Sequence, residues 1–128
     1  MFRQSRLVAF LATSHPKEAR AFYQTVLGLQ LIDESDFALA FIAGGTTLRI
    51  QKVRAVQPFP YTALGWEVSN ISETLQALAS HGVAPERFEG LEQNERGVWK
   101  TPDGGQVAWF RDPDFNLLSI TQHKPGAA

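Results

Sequence analysis

Two charged side chains, Arg49 and Glu67, are the strongest candidates for chemistry in this sequence. A glutamate can act as a general base, and an arginine can hold a developing oxyanion. The two side chains could instead pair with each other and fill a cavity, which would make the protein a structural remnant or an interaction module. Both interpretations stay open on the residue types alone.

Several other kinds of site lack their essential residues. The 128 residues include no cysteine, which excludes disulfides, thiolate metal sites and cysteine nucleophiles. The three histidines, His15, His81 and His123, stand alone at a helix entrance, at a helix end and in the tail, where histidine mostly serves as a solvated or capping residue. Gly44-Gly45 and Gly104-Gly105 lack the flanking pattern of a phosphate-binding loop and are predicted as turns.

The composition is that of an ordinary globular domain, with 44% hydrophobic and 20% charged residues. The net charge of -1 comes from 12 basic and 13 acidic residues without a long run of one sign, so we expect neither nucleic acid nor a membrane as a partner. No stretch is apolar enough to span a bilayer, and the first residues show no signal-peptide core. We therefore predict a cytoplasmic protein with local recognition of a ligand.

The elements that must position these residues begin with a βαβββ unit over residues 6–55. Residues 7–12 form an apolar strand, and a helix with one apolar face then runs from Pro16 to a C-terminal cap at Gly28. Three further strands, separated by short polar or glycine turns, are predicted at residues 31–33, 37–42 and 46–51.

The pattern restarts after a linker over residues 56–61, whose prolines cannot continue a central strand or a helix. The second unit is predicted over residues 62–122. It contains a helix with Asn70 as N-cap and Glu73 three residues later. Its strands are predicted at residues 62–68, 98–101, 107–111 and 117–121, with a further candidate at 87–89 and a hairpin turn at 102–105. Residues 123–128 are predicted to be a disordered tail.

Two segments carry a family resemblance, residues 16–28 (PKEARAFYQTVLG) and residues 110–116 (FRDPDFN). They resemble the helix signature and the F-x-DPDGN-L turn of the glyoxalase, bleomycin-resistance and extradiol-dioxygenase superfamily, also called the vicinal oxygen chelate superfamily. The resemblance covers residues 6–122 and implies an α+β fold of two βαβββ modules whose mixed sheet curls around a cleft. Phe115 stands where the family usually has glycine, so it must either take a positive φ or change the turn.

The resemblance also bears on metal binding. Metal-dependent relatives hold a divalent ion at four strand positions, which correspond here to Val8, Arg49, Ala63 and Ser119. Two aliphatic side chains, a permanent cation and a neutral hydroxyl are not credible ligands for zinc, nickel, iron or manganese. The resemblance thus implies a member without the metal site and without a cofactor. Members of the family are often homodimers, which we also expect here.

The metal-free members of the superfamily bind planar or aromatic compounds, and this implies binding of a small aromatic or anionic molecule in the cleft. The alternative is a metal-independent lyase or isomerase that uses Glu67 and Arg49. Side chains alternate along a strand, and this alternation predicts which of them face the cleft. The expected ligand-binding residues are Val8, Phe10, Arg49, Gln51, Ala63, Glu67, Ser119 and Thr121, with Trp99, Trp109 and Phe110 as flat apolar walls.

Overall fold

The computed structural model describes residues 1–125. Its elements are β1 (Val8–Thr13), α1 (Pro16–Ala21), a π-helical turn (Phe22–Val26), β2 (Gln30–Glu34), β3 (Ala38–Ala43), β4 (Thr46–Lys52), β5 (Leu64–Glu67), α2 (Ile71–Ser80), β6 (Trp99–Lys100), β7 (Gln106–Arg111) and β8 (Leu117–Gln122). The chain divides after Pro58 into a first unit and a second unit. β8 ends at Gln122, and residues 126–128 of the predicted tail lie outside the described residues.

Each unit contains one open, mixed sheet of four strands. The order is β1-β4-β3-β2 in sheet 1 of the first unit and β5-β8-β7-β6 in sheet 2 of the second unit. The first and last strands of each unit pair in parallel, and the remaining pairs are antiparallel. The predicted fold class, with two βαβββ modules, is confirmed.

The core of the first unit lies between sheet 1 and its helix. Ala19 and Tyr23 on the helical segment are fully buried, as are Phe41 and Leu48 on the sheet. The rings of Tyr23 and Phe41 lie 5.9 Å apart between centroids. These contacts follow from the apolar stripe of the helix, which the sequence predicted from its period.

The end of this helix differs from the prediction of a single α-helix. The amide of Leu27 donates to the carbonyl oxygen of Phe22, five residues earlier, at 2.9 Å. Such a π-helical turn accommodates one extra residue, and it brings the adjacent Phe22 and Tyr23 both into the core. The predicted cap is confirmed, because Gly28 has a φ of 74°.

The second unit places α2 against one side of sheet 2. The predicted N-cap is confirmed, because the Asn70 side chain accepts a hydrogen bond from the amide of Glu73 at 3.1 Å. The side chain of Gln122 on β8 accepts another from the amide of Ile71 at 2.8 Å. The apolar residues buried at this helix-covered face are Ile71, Leu75 and Leu78 on α2 and Ala108, Phe110, Leu118 and Ile120 on the sheet.

The strand predicted at residues 87–89 is wrong, and β6 is shorter than predicted. The side chain of Gln93 forms the hydrogen bonds to this segment that a neighbouring strand would otherwise form. Its Oε1 accepts from the amide of Phe88 at 2.8 Å, and its Nε2 donates to the carbonyl oxygens of Glu86 and Gly97 at 3.0 and 2.7 Å. These backbone groups are therefore satisfied without a sheet ladder.

None of the helices within residues 1–125 is long and apolar enough to cross a membrane.

An exposed cluster of charges joins the helix of the first unit to sheet 1. Glu34 accepts from Arg20 at 2.8 Å and from Lys52 at 3.1 Å. The hydrogen bond from Lys52 and the positive charges of both partners hold the pKa of Glu34 below its ordinary value of 4.5. Because the pKa is lower in the folded state, the stabilisation is present above the unfolded value and is lost as the pH falls through the folded value.

We expect Glu34→Gln to remove this part of the pH dependence of stability. The variant should be less stable than the wild type at neutral pH, and the difference should shrink as the pH falls below about 4. Urea unfolding between pH 7 and pH 3 measures it, with the exposed helix residue Glu18 as control in Glu18→Gln. A stability difference that is constant with pH would contradict the proposed role of the Glu34 ion pairs. High salt should reduce the difference at neutral pH, since exposed ion pairs are screened.

Candidate functional site

The open face of sheet 1 is the side that its helix does not cover, formed by Val8, Phe10 and Ala12 of β1 and Thr47, Arg49 and Gln51 of β4. The neighbouring residues Leu11 and Ile50 point to the opposite side and are buried. Phe10, by contrast, is 54% exposed although it is a large apolar side chain. The open face thus combines accessible apolar surface with polar groups, as ligand sites commonly do.

Arg49 lies at the centre of this face. In the register of the sheet it stands between Phe10 on β1 and Ala40 on β3. The side chain is half-buried, and it forms no hydrogen bond or ion pair with another described residue of the first unit. A guanidinium keeps its charge and five donors, so it can bind oxygen atoms of a ligand. Its pairing with Glu67, which belongs to the other unit, stays a prediction.

The open face of sheet 2 is the side opposite α2. Strand register places its residues in three rows across the sheet. The rows are Glu67, Thr121, Val107 and Trp99; then Gly65, Ser119 and Trp109; then Leu117 and Arg111. Leu117 is only 2% exposed, and its carbonyl oxygen accepts from the amide of Ala63, just before β5, at 2.8 Å. This face therefore carries most of the binding residues predicted for the second half of the sequence.

Glu67, the candidate general base, is at the edge of this face. Its side chain is 73% exposed, and its Oε2 lies 4.0 Å from the Nε2 of His123. A contact at this distance is at the limit of an ion pair and does not fix the carboxylate in one position.

Trp109 is held in place from several sides. Its Nε1 donates to the hydroxyl of Thr62 at 3.1 Å. Phe88 contacts it edge to face with centroids 5.3 Å apart, and Trp99 lies tilted at 6.4 Å. The roles of Thr62 and Phe88 beside Trp109 were not predicted, because both were assigned to strands, at residues 62–68 and 87–89, whereas they lie in irregular segments of the structure.

Phe110 requires a correction. It was expected to form a flat wall of the cleft, but it is only 1% exposed and lies on the helix-covered face, opposite Leu118. The structure thus assigns Phe110 to the core rather than to the open face. Alternation along β7 places its neighbour Trp109 on the open face instead.

The four positions that the family resemblance links to metal binding are Val8 and Arg49 on the open face of sheet 1, Ser119 on that of sheet 2, and Ala63, just before β5. Their side chains do not fit a divalent ion. Within residues 1–125, no group of three or more histidine, cysteine, aspartate or glutamate side chains is arranged to hold one.

His15 and His81 occupy the two helix ends predicted for them, whereas His123 follows β8. His15 precedes α1, and its amide donates to the hydroxyl of Thr13 at 3.0 Å. His81 is the C-cap of α2. Neither position offers a ligand set for a metal.

A surface pocket of about 410 Å³ lies beside the open face of sheet 2. It is lined by Glu92, Gln93, Asn94, Val98, Trp99 and Lys100. Trp99 contributes to both surfaces, and the loop that forms the remaining wall is the one held by Gln93. The pocket is large enough for a small ring system.

Two βαβββ units, each with a helix on one side of a mixed sheet and an open face on the other, define the class of protein. The family model described as Glyoxalase/Bleomycin resistance protein/Dioxygenase superfamily matches residues 5–120. The chain belongs to this superfamily, as its sequence motifs indicated.

Solved structures show the same fold at low sequence identity. The fosfomycin resistance protein FosX from Listeria monocytogenes is 15% identical with a TM-score of 0.76, and the match covers 95% of each chain. A lactoylglutathione lyase from Agrobacterium tumefaciens is 18% identical with a TM-score of 0.73, over 96% of this chain and 97% of that one. A superfamily member from Sphaerobacter thermophilus is 19% identical with a TM-score of 0.73, over 96% and 100%. Comparison with curated proteins returned no match.

Proposed function

We propose that the protein binds a small molecule with an anionic or oxygen-rich group, and that it does so without a metal ion. The observation that carries the proposal is Arg49, a cation in the middle of the open face of sheet 1 without a partner among the described residues of its unit. A carboxylate or phosphate would satisfy its donors with two parallel hydrogen bonds, and a phenolate would accept through its single oxygen.

The neighbours of Arg49 support a ligand that also has an apolar part. Phe10 lies beside it on β1 and exposes a flat ring, while Ala40 on β3 is small and buried. Gln51 adds an exposed amide two residues further along β4. A small aromatic acid would match the ring, the cation and the amide together.

Binding without metal is supported by the side chains at the four family positions. Val8 and Ala63 offer no donor atom, and a guanidinium repels a divalent cation. The positive charge of Arg49 instead takes the electrostatic role that a metal would have toward an anionic ligand.

The alternative, a metal-independent lyase or isomerase, would need Glu67 to be positioned against a substrate. Its exposed side chain and its 4.0 Å separation from His123 give the carboxylate no such support within the second unit. We therefore propose binding of a small molecule rather than catalysis.

A thermal-shift screen of benzoate, phenolates and neutral aromatic compounds tests the proposal. At three times its Kd, an acid should stabilise the wild type by about 0.8 kcal/mol. We expect Arg49→Ala to lose this response, whereas Arg54→Ala, which removes an exposed arginine of the same unit, should keep it. If neutral compounds stabilise all three proteins equally and acids stabilise none, the anion site is wrong.

A further inference from the structure

The hydroxyl of Ser119 is an unused polar group in the middle of the open face of sheet 2. The residue is only 8% exposed, and its side chain forms no hydrogen bond with any described residue. No fully buried side-chain nitrogen or oxygen in residues 1–125 lacks a partner. The Ser119 oxygen must therefore reach the surface of the open face, where a ligand can approach it.

Gly65 is the reason that this hydroxyl is uncovered on one side. It pairs with Ser119 across β5 and β8, and a Cβ at this position would lie 2.6 Å from the Ser119 Oγ. Gly65 is not among the glycines with positive φ, so its backbone conformation does not require glycine. Glycine is thus needed at position 65 to leave space beside the Ser119 hydroxyl, and not to form a turn.

Trp109 flanks Ser119 on the other side, since the two residues pair across β7 and β8. Its indole nitrogen already donates to Thr62 at 3.1 Å, and its ring is supported by Phe88. The indole can offer its flat surface but no free donor. The hydroxyl of Ser119 is therefore the donor left in this row of the sheet.

We propose that Gly65, Ser119 and Trp109 form a ligand subsite for a flat ring that carries an acceptor oxygen, such as an aromatic ketone. The ring packs on the indole, and the Ser119 hydroxyl donates a hydrogen bond to the oxygen in the space that Gly65 leaves. The subsite deepens the proposed function, on which it rests, because it names a neutral, oxygen-bearing part of the ligand that Arg49 does not recognise.

Acetophenone and α-methylstyrene are suitable probes, because they have the same shape and differ in one carbonyl oxygen. NMR titration should show that the wild type binds acetophenone about fivefold more tightly. Ser119→Ala should bind both compounds equally, with unchanged affinity for α-methylstyrene. Ser72→Ala, which removes an exposed hydroxyl of α2, should keep the fivefold preference.

Gly65→Ala supplies a second, steric test, since the new methyl group meets the Ser119 oxygen. It should weaken both probes, and circular dichroism verifies its fold; if it does not fold, Ser119→Ala decides alone. A preference that survives in Ser119→Ala, or no binding of either probe to the wild type, overturns the subsite. Benzoate binding distinguishes failure of the subsite from failure of the proposed function. If Arg49→Ala no longer binds benzoate, the anion site is supported even when the subsite is not.

Discussion

Asp112→Ala should lower the free energy of unfolding by about 3 kcal/mol, because Asp112 organises the turn between β7 and β8. Its carboxylate is nearly buried, and Oδ1 accepts from the amides of Asp114 and Asn116, both at 2.9 Å. Oδ2 accepts from the side-chain amide of Asn116 at 2.9 Å. Alanine would leave these donors without a charged acceptor in a site that water cannot readily enter.

Urea unfolding of three variants measures this contribution. Asp112→Asn keeps one oxygen for the two backbone amides but cannot accept from the Asn116 side chain through its own amide group, so its loss should be intermediate. Asp36→Ala removes an exposed aspartate from a different turn and should change stability by less than about 0.5 kcal/mol. Equal losses for Asp112→Ala and Asp36→Ala would show that the turn does not depend on this carboxylate.

Local signals in the sequence were sufficient to predict most of the fold. The cap at Asn70, the left-handed glycine at Gly28 and the apolar periods each depend on a few adjacent residues, and the structure contains all of them. The π-helical turn and the loop held by Gln93 were missed. Both depend on hydrogen bonds that replace the regular pattern, and no period in the sequence marks such a replacement.

The candidate site was only partly predictable for a similar reason. Along β1 and β4, polar or exposed residues alternate with buried ones, so the direction of Arg49 followed from the pattern. β7 is apolar at four consecutive positions, residues 107–110, so alternation alone could not tell which of Trp109 and Phe110 belongs to the core. The approach of Gly65 to Ser119 depends on the register between two distant strands, which a single sequence does not specify.

Phe115 shows how a departure from a family pattern is resolved by the backbone. The sequence left two outcomes open, a positive φ or a changed turn, and the structure shows a φ of 66°. It is the only residue other than glycine with a positive φ among residues 1–125. The turn keeps its hydrogen bonds, from the Phe115 amide to the Asp112 carbonyl at 2.9 Å and from Arg111 to the Phe115 carbonyl at 3.0 Å. The strain is therefore borne by one residue.

Phe115→Gly should relieve this strain and stabilise the protein by about 1 kcal/mol, which corresponds to a rise in Tm of about 3–5 °C. The ring is 66% exposed, so its removal sacrifices little packing. Phe115→Ala is the matched control, because it also removes the ring but keeps the Cβ that disfavours a positive φ. Thermal unfolding should place Phe115→Gly above both Phe115→Ala and the wild type. If Phe115→Gly and Phe115→Ala melt at the same temperature, the backbone at residue 115 is not strained, and the exposed ring must be explained in another way.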